Sequence, residues 1–493
     1  MGLFASLCCL GSARDVEPDR PNDTHHTEKR SATGAASRNF NPQGPSTISP
    51  FLQQLSEYSD TPIKSLLQPY LDDETQLRQA FARGDPHAAE VSHLIALYPH
   101  QQSLLTSRVI ERDVYGPDKY LLRLPAEKIG RPGAPAVVTS LDQYQTNFEA
   151  FSHASLSGLD WSNVIAAGSS ALLPLLPRRD DVDIAFNPAV ENPLETYFQE
   201  IASASDIDLF LYGLDEDQAT RKIIQIESTI RKNQRLLTDG GLTLRTNNAI
   251  TFISPRWPYR HVQIILRLYK SISEVLAGFD VDCACVAYDG RQVYTTPRGA
   301  ASIITRTNTI DLTRRSPSYE YRLYKYRSHN FDVYWDSLER SRIDEFIFQG
   351  DQNPSELHGL ARLLFFEESI RNYGDEQNYQ KRRRLKKIQD VEDSAPSGYA
   401  DHEIPYGERF TAPSVRRYVA LHSKEAYRFG TIHEVMEEGS IASQNGIEGS
   451  LRFLTDDPGR QMIGSFHPLT DDDWTDMAYD IGAESAGQES ISI

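Results

Sequence analysis

Two aspartates spaced two residues apart in an apolar segment are the clearest candidates for chemistry in this chain. Asp206 and Asp208 lie in the sequence SDIDLFLYG. Alternate residues of a strand point to one face, and a carboxylate pair destabilises a core unless it binds a cation or hydrogen-bond donors. About forty residues earlier, Gly168 and Ser169 form a turn before a predicted helix, where free backbone N–H groups can face a phosphate. The combination predicts a site for phosphate and metal.

Phosphoryl transfer requires carboxylates that hold divalent ions against the phosphates and the attacking oxygen. A nucleotidyltransferase would use Asp206 and Asp208 as Mg²⁺ ligands and take a third carboxylate from a later strand. The best-matching strand, which begins at His261, carries Gln263 where that acid is expected. We therefore expect an incomplete two-metal site.

A second aspartate pair, Asp181 and Asp183, lies closer to Gly168 and is the alternative metal pair. No long helix follows it, and Asn187 and Pro188 interrupt its strand. The spacing therefore favours Asp206 and Asp208.

A third acidic group lies near the end of the chain. Asp472, Asp473 and Asp476 follow Thr470, which can cap a helix whose first turn favours acids. That capping explains the acids structurally. The functional alternative is that acids three and four residues apart share one helix face and bind a guanidinium or accept a proton from an ammonium group.

A basic and aromatic segment follows residue 312. We predict that it contacts phosphate or RNA through Arg314, Arg315, Arg322 and Lys325, with Tyr319 and Tyr321 as stacking surfaces. The alternative is an ordinary amphipathic helix. The net charge of -18 disfavours indiscriminate nucleic-acid binding, so no DNA partner is expected.

The N-terminal residues fit a lipidation pattern. Gly2 matches a myristoylation site, and Cys8 and Cys9 are candidate palmitoylation sites that would give the second chain needed for stable anchoring. The alternative is a chance match. The two remaining cysteines, Cys283 and Cys285, form neither a disulfide framework nor a zinc pattern, so we expect a cytoplasmic protein that associates with a membrane surface when acylated.

The order of the strands and helices predicted around these residues indicates an α/β (α+β) fold. We expect a nucleotidyltransferase-like mixed sheet between mostly helical N- and C-terminal regions. Strands are expected before Gly168, at Asp206 and Asp208, over residues 242–253 and 261–269, and over 282–288. The predicted divisions are a disordered tail (1–48), a helical region (49–150), the core (151–312), a helical basic region (313–387), a linker (388–401), a C-terminal region with the acidic motif (402–480) and a tail (481–493).

The segment from Phe279 to Gly290, with Val293 and Pro297 after it, resembles the second characteristic block of the CCA-adding tRNA nucleotidyltransferase superfamily. The alternative for this segment is a buried strand with a tight hairpin. The resemblance implies a nucleotidyltransferase-like core.

Further segments between about residues 115 and 480 are similar to a block shared by many fungal proteins, some of which carry ankyrin repeats. The matching segments are 160–169, 205–213, 260–269, 278–290, 311–322, 405–410 and 457–479. Among such proteins the chain resembles the fungal arginine-containing cyclodipeptide synthases, which have a required Asp-Asp-x-x-Glu motif. Asp472, Asp473 and Asp476 would match it, although Asp476 is one methylene shorter than the expected Glu.

This resemblance implies an aminoacyl-tRNA-dependent transferase that condenses arginine from Arg-tRNA with a second amino acid into a cyclic dipeptide for secondary metabolism. No cofactor is required for it, and Asp206 and Asp208 would join the C-terminal acids in the catalytic set. Two alternatives stay open. The chain could be a Mg²⁺-dependent nucleotidyltransferase acting on RNA or a small molecule, or a non-catalytic, lipid-anchored interaction protein on a degenerate core.

Overall fold

The computed structural model describes residues 48–108, 116–179, 182, 192–202, 205–234, 242–254, 257–316, 318–348, 356–373, 404, 412–422, 426–436, 447, 449–454, 461–464 and 469–480. The predictions for Gly2, Cys8 and Cys9 and for the Asp181/Asp183 pair lie outside these residues. Within the described part of the chain, no helix has the length and apolar character needed to cross a bilayer.

The described residues form thirteen α-helices and twelve strands. The helices are α1 (Pro50–Glu57), α2 (Ile63–Ala82), α3 (Leu141–Ser152), α4 (Ser169–Leu175), α5 (Pro193–Ile201), α6 (Glu216–Asn233), α7 (Ile272–Ala277), α8 (Pro297–Thr305), α9 (Tyr319–Arg327), α10 (Gly359–Tyr373), α11 (Ala412–His422), α12 (Ile432–Met436) and α13 (Asp471–Thr475). The strands are β1 (Ile95–Ala96), β2 (Tyr120–Leu121), β3 (Val164–Ala167), β4 (Ile207–Tyr212), β5 (Leu242–Thr246), β6 (Ala249–Ile253), β7 (Val262–Tyr269), β8 (Val286–Tyr288), β9 (Val293–Thr295), β10 (Thr307–Thr309), β11 (Asp332–Tyr334) and β12 (Tyr427–Gly430).

Nine of the strands form one mixed sheet in the order β1-β9-β8-β3-β4-β7-β6-β5-β12. The central strand β4 pairs parallel with β7 and antiparallel with β3. A smaller sheet has the order β10-β11-β2. The predicted mixed α/β fold is confirmed, and the sheet centre is the position where a ligand site can be held by neighbouring strands.

Local sequence explains the helices that flank the sheet centre. Ser140 caps α3 by accepting a hydrogen bond from the backbone N–H of Gln143. Asp215 and Gln218 form a capping box at the start of α6, and Arg231 lies in its last turn, where a cation complements the helix dipole. Strand β3 is apolar and wholly buried, as expected of a strand covered on both faces.

Two strand predictions differ from the structure in detail. Residues 242–253 form the hairpin β5–β6 instead of one strand, because the chain reverses between Thr246 and Ala249. The segment 282–288 begins with a turn of 3₁₀ helix at Asp282–Ala284, so strand β8 starts only at Val286. Both differences shorten strands without changing which strands neighbour β4.

The large sheet extends beyond the predicted core, 151–312. Strand β1 from the N-terminal side pairs with β9, and strand β12 from the C-terminal side pairs with β5. Buried ion pairs join helix α2 to the same body, since Arg298 contacts Glu74 at 2.9 Å and Asp282 at 3.0 Å. Burial alone would raise the pKa of Glu74, but the nearby arginine charges outweigh burial and lower it.

Candidate functional site

The acidic pair lies at the start of the central strand β4. Asp206 is 7% exposed and Asp208 is fully buried. Two contacts fix this segment. The backbone N–H of Ile207 donates to the carbonyl of His261 at 3.0 Å, and the buried guanidinium of Arg260 donates to the carbonyl of Ser205 at 2.8 Å. The two carboxyl groups are thus held on one face of a rigid strand.

The predicted Gly-Ser turn lies beside this strand. Gly168 has φ 72° and ψ -140° and precedes helix α4, a left-handed backbone conformation that favours glycine. The hydroxyl of Ser169 lies 3.2 Å from the hydroxyl of Ser205, the residue that precedes Asp206. Strand pairing and this contact therefore bring together the two sequence features that predicted a phosphate and metal site.

Three of the four carboxyl oxygens of the pair lack a hydrogen-bond partner within the described residues. Oδ1 of Asp206 and both carboxyl oxygens of Asp208 are buried without a hydrogen bond within the described part of the chain. Burial raises the pKa of Asp206 to about 7. Burial and then the charge of Asp206 raise the pKa of Asp208 well above its ordinary value. Buried polar atoms are usually hydrogen-bonded, so these oxygens are candidates to bind an ion, a ligand or an ordered water.

Gln263 lies where a third carboxylate was expected, directly opposite Asp208 in the β4–β7 register. Its amide nitrogen donates to the hydroxyl of Thr251 at 3.4 Å, and its Oε1 atom is buried without a hydrogen-bond partner. Amide oxygens bind hard cations, although without charge. The sequence predicted that Gln263 stands in place of the third acid. It did not predict that the Oε1 atom of Gln263 would have no hydrogen-bond partner, because that depends on the pairing of β6 with β7.

The donor set fits one Mg²⁺ ion. Two carboxylates and an amide oxygen would hold it from Asp206, Asp208 and Gln263, and such ions commonly complete their coordination with water and substrate phosphates. Across the described residues, no group of three or more His, Cys, Asp or Glu side chains is arranged to hold a metal ion. Within the described residues, the site therefore offers two carboxylates and one amide oxygen.

Helix α9 brings basic groups to the acidic pair. Lys325 is 8% exposed, and its positive charge lowers the pKa of both Asp206 and Asp208, which partly offsets the effect of burial. One turn earlier, Arg322 contacts Asp280 at 2.5 Å and also acts on the pKa of Asp208. The contact between Arg322 and Asp280 was not predicted, because the two residues are 42 positions apart in the chain.

The other predicted RNA contacts are buried or half-buried. Arg314 is 2% exposed and pairs with Glu74 at 3.0 Å and with Asp311 at 2.9 Å. Arg315 pairs with Glu320 at 2.7 Å. The rings predicted to stack on bases, Tyr319 and Tyr321, are buried. In this conformation, of the four predicted basic residues, Arg322 and Lys325 lie near the acidic pair, and none forms an exposed RNA surface.

The C-terminal acids have different surroundings. Asp473 and Thr470 form a capping box at the start of α13, and hydrogen bonds from Thr470 lower the pKa of Asp473. Asp476 contacts the imidazole of His358 at 3.2 Å, and Asp472 is exposed. Trp474 is fully buried beside Tyr319 and Trp335, and it attaches helix α13 to the core.

Within the described residues, no contact joins the two acidic groups. Within the described residues, Asp206 and Asp208 share no hydrogen bond, ion pair or electrostatic neighbour with Asp472, Asp473 or Asp476. One group is buried at the sheet centre, and the other lies on the surface. The prediction that they form one catalytic set has no geometric support.

Comparison with known proteins places the similarity around the buried pair. Residues 142–306 match the model of the Gabija anti-defense 2 (Gad2) family. An uncharacterized protein of Acanthamoeba polyphaga mimivirus is 36% identical over 170 residues, which cover 32% of this chain and 37% of the viral protein. The chain thus matches little more than a third of the length of that curated relative. No solved structure matches the chain.

The range of the family match separates the candidate residues into two sets. It contains Gly168, Ser169, Asp206, Asp208 and Gln263. Helix α9 and the C-terminal acids lie outside it. The similarity is therefore to the part of the sheet that carries the acidic pair.

Proposed function

We propose that this chain is a Mg²⁺-dependent nucleotidyltransferase whose centre is the buried pair Asp206 and Asp208. The observation that carries the proposal is the set of buried oxygens without hydrogen-bond partners on Asp206, Asp208 and Gln263. Carboxylates of this kind are costly in a core and are explained when they bind a cation. Their position beside the Gly168–Ser169 turn suits a substrate that carries phosphates.

The chemistry follows from the charges of these groups. A bound Mg²⁺ ion would neutralise phosphate charge and polarise the phosphorus that is attacked. Asp206 and Asp208 would hold that ion, and Gln263 would supply a neutral third oxygen. Lys325, whose positive charge acts on both carboxyl groups, could stabilise phosphate oxygens during transfer. Burial excludes water and strengthens each of these interactions.

Nucleotide incorporation tests the proposal. The purified chain would be incubated with Mg²⁺, each labelled nucleoside triphosphate in turn, and either total RNA or a small-molecule extract as acceptor. We expect covalent transfer of the label with one acceptor class, and loss of transfer in Asp208→Asn. Asp472→Asn is the matched acidic control and should retain activity. Absence of transfer under all conditions would contradict the proposal.

A second proposal concerns the biological role of the chain, and it is supported by the family match. The matched family is described as an anti-defense family directed at Gabija. We propose that transfer by this chain counters a defence system of that kind. Expression in cells with an active Gabija system tests it: defence should fail with the natural chain and persist with Asp208→Asn. Persistent defence with both proteins would remove this part of the proposal.

The arginine-containing cyclodipeptide synthase interpretation stays a prediction, with aminoacyl-tRNA as its partner. The acids of its motif are exposed, and Asp473 and Asp476 have local structural partners. Expression in a heterologous host tests it directly, because arginine-containing diketopiperazines should accumulate and should disappear in Asp472→Asn. The non-catalytic, lipid-anchored alternative predicts neither product, together with loss of membrane association in Gly2→Ala.

A further inference from the structure

We propose that Thr251 is a positioning residue for the metal site, because its hydroxyl holds the side-chain amide of Gln263 with Oε1 directed toward Asp208. The inference rests on the proposed function and adds to it a residue on strand β6 that is not itself a metal ligand. Thr251 is 2% exposed, and every residue of its strand is buried. Its hydroxyl therefore acts inside the protein.

Strand register places the three side chains in one row across the sheet. Gln263 on β7 is paired with Asp208 on β4 on one side and with Thr251 on β6 on the other. Directly paired residues of neighbouring strands project from the same face of a sheet. Gln263 thus lies between a threonine hydroxyl and an acid whose two carboxyl oxygens have no hydrogen-bond partner within the described residues.

The planar amide of Gln263 links the direction of its oxygen to that of its nitrogen. Nε2 donates a hydrogen bond to Oγ1 of Thr251 at 3.4 Å, so the nitrogen side of the amide faces β6. The carbonyl oxygen and the NH₂ group lie on opposite sides of the amide carbon, so Oε1 faces away from β6. Oε1 is buried and has no hydrogen-bond partner, which leaves it available as a ligand for an ion.

Loss of the threonine hydroxyl would remove the reason for this orientation. Thr251→Val keeps a β-branched side chain, which suits a strand, and removes the acceptor. Nε2 of Gln263 would then be buried without a partner, which is unfavourable. Rotation of the amide by half a turn would direct the NH₂ group toward the carboxyl oxygens of Asp208. A donor there competes with a cation for the same oxygens, so the hydroxyl favours metal binding by preventing this rotation.

Metal affinity is the first test. Mn²⁺ would be titrated into the full chain without substrate and followed by electron paramagnetic resonance. We expect Thr251→Val to weaken Mn²⁺ binding by about 10-fold, as is usual when a group that orients a metal ligand is lost, and Thr251→Ser to retain the natural affinity. Unchanged affinity in Thr251→Val would overturn the inference.

A second threonine provides the matched control. Thr243 is 1% exposed on the neighbouring strand β5, but it is paired with Phe252, so its side chain lies on the other face of the sheet. Thr243→Val should therefore leave Mn²⁺ affinity unchanged. Equal losses of affinity in Thr243→Val and Thr251→Val would show a general effect on the sheet and contradict the inference.

A double-mutant cycle tests whether the hydroxyl acts through the amide. Gln263→Met keeps a side chain of similar length and removes the amide, so it should weaken Mn²⁺ binding at least as much as Thr251→Val. If Thr251 acts by orienting this amide, the double variant should bind Mn²⁺ as Gln263→Met does, without further loss. Losses that multiply in the double variant would show that Thr251 acts independently of Gln263, and would overturn the inference.

Kinetics separate the inference from the proposed function. Thr251→Val should raise the Mg²⁺ concentration for half-maximal nucleotide incorporation by about 10-fold and leave the rate at saturating Mg²⁺ close to that of the natural chain. Normal Mn²⁺ binding by Thr251→Val, with incorporation by the natural chain, would remove the inference and leave nucleotidyl transfer standing. Absence of both Mn²⁺ binding and incorporation in the natural chain would instead contradict the proposed function, and the inference with it.

Discussion

The two acidic groups of this chain have similar composition and opposite surroundings. Asp206 and Asp208 lie inside the sheet, and three of their four carboxyl oxygens have no hydrogen-bond partner within the described residues. Asp472, Asp473 and Asp476 lie on the surface. Thr470 forms a capping box with Asp473, and His358 contacts Asp476, so these two acids are explained without any ligand.

This difference shows how burial changes the meaning of a carboxylate. An exposed acid is solvated and needs no further explanation. A buried acid without a partner lowers stability in the free protein, so its presence calls for a ligand that compensates. The resemblance to the cyclodipeptide synthases gave the surface acids a catalytic role, whereas the surroundings of the side chains favour the buried pair.

The largest expected effect is on nucleotide incorporation, which tests directly whether the buried or the surface acids carry the chemistry. Asp208→Asn should lower nucleotide incorporation by about 10³-fold, because a carboxylate that holds the metal supplies several kcal/mol of charge stabilisation. A triple variant with Asn at 472, 473 and 476 should retain activity within about threefold, since surface changes of this kind have small effects. Initial rates with saturating Mg²⁺ measure both. If the triple variant loses activity and Asp208→Asn keeps it, the assignment of the two groups is reversed.

The second prediction concerns Trp474, which attaches the helix with the surface acids to the core. Trp474 is fully buried against Tyr319 and Trp335. Trp474→Ala should lower the free energy of unfolding by about 3–5 kcal/mol, because it leaves a large cavity. Met477→Ala, at a neighbouring residue that is 38% exposed, should change it by less than about 0.5 kcal/mol. Denaturant unfolding measures both, and equal effects would show that α13 is not held by its tryptophan.

The sequence allowed the local part of the site to be predicted. Strand alternation predicted that the side chains of Asp206 and Asp208 lie on one face. The turn at Gly168 was predicted from the glycine itself, because glycine adopts a left-handed backbone conformation easily. The N-caps Ser140 and Asp215 were equally local. These features depend on neighbours within a few positions, which is why residue order alone was sufficient.

The remainder depended on contacts between distant segments. Arg314 resembled a phosphate contact until its partner Glu74, 240 positions earlier, was known from the fold. The hairpin within 242–253 and the addition of β12 to the sheet are likewise set by pairing. Sequence alternation does not distinguish an unpaired basic residue from one that a remote acid neutralises.

The third prediction uses the opposite pKa shifts of the two groups. In the metal-free protein, burial keeps Asp206 protonated up to about pH 7, whereas the unfolded chain releases that proton near the ordinary aspartate pKa of 3.8. The folded state therefore binds more protons in this window, and stability falls as the pH rises through it. We expect a loss of about 2 kcal/mol between pH 5 and pH 7.

Asp208→Asn should reduce this dependence, because it removes a carboxyl group whose pKa burial also raises. Asp473 has the opposite sign, since its lowered pKa adds stability above the ordinary carboxyl range and loses it in acid. Asp473→Asn should therefore leave the slope between pH 5 and pH 7 unchanged. Chemical unfolding with a chelator present measures these slopes, and a flat profile in the natural protein would contradict the burial argument.

The smallest expected effect sharpens the structural account of the surface group. The hydroxyl of Thr470 accepts a hydrogen bond from the backbone N–H of Asp473 at 3.2 Å. Thr470→Ala should destabilise α13 by about 1 kcal/mol, the usual result of losing an N-cap, and Thr470→Ser should preserve it. Amide hydrogen exchange over residues 471–475 measures this local change. Nucleotide incorporation should be the same in both variants, because a cap on the surface helix has no contact with the buried pair. A loss of incorporation in Thr470→Ala that approaches the loss in Asp208→Asn would show that the surface acids take part in the chemistry.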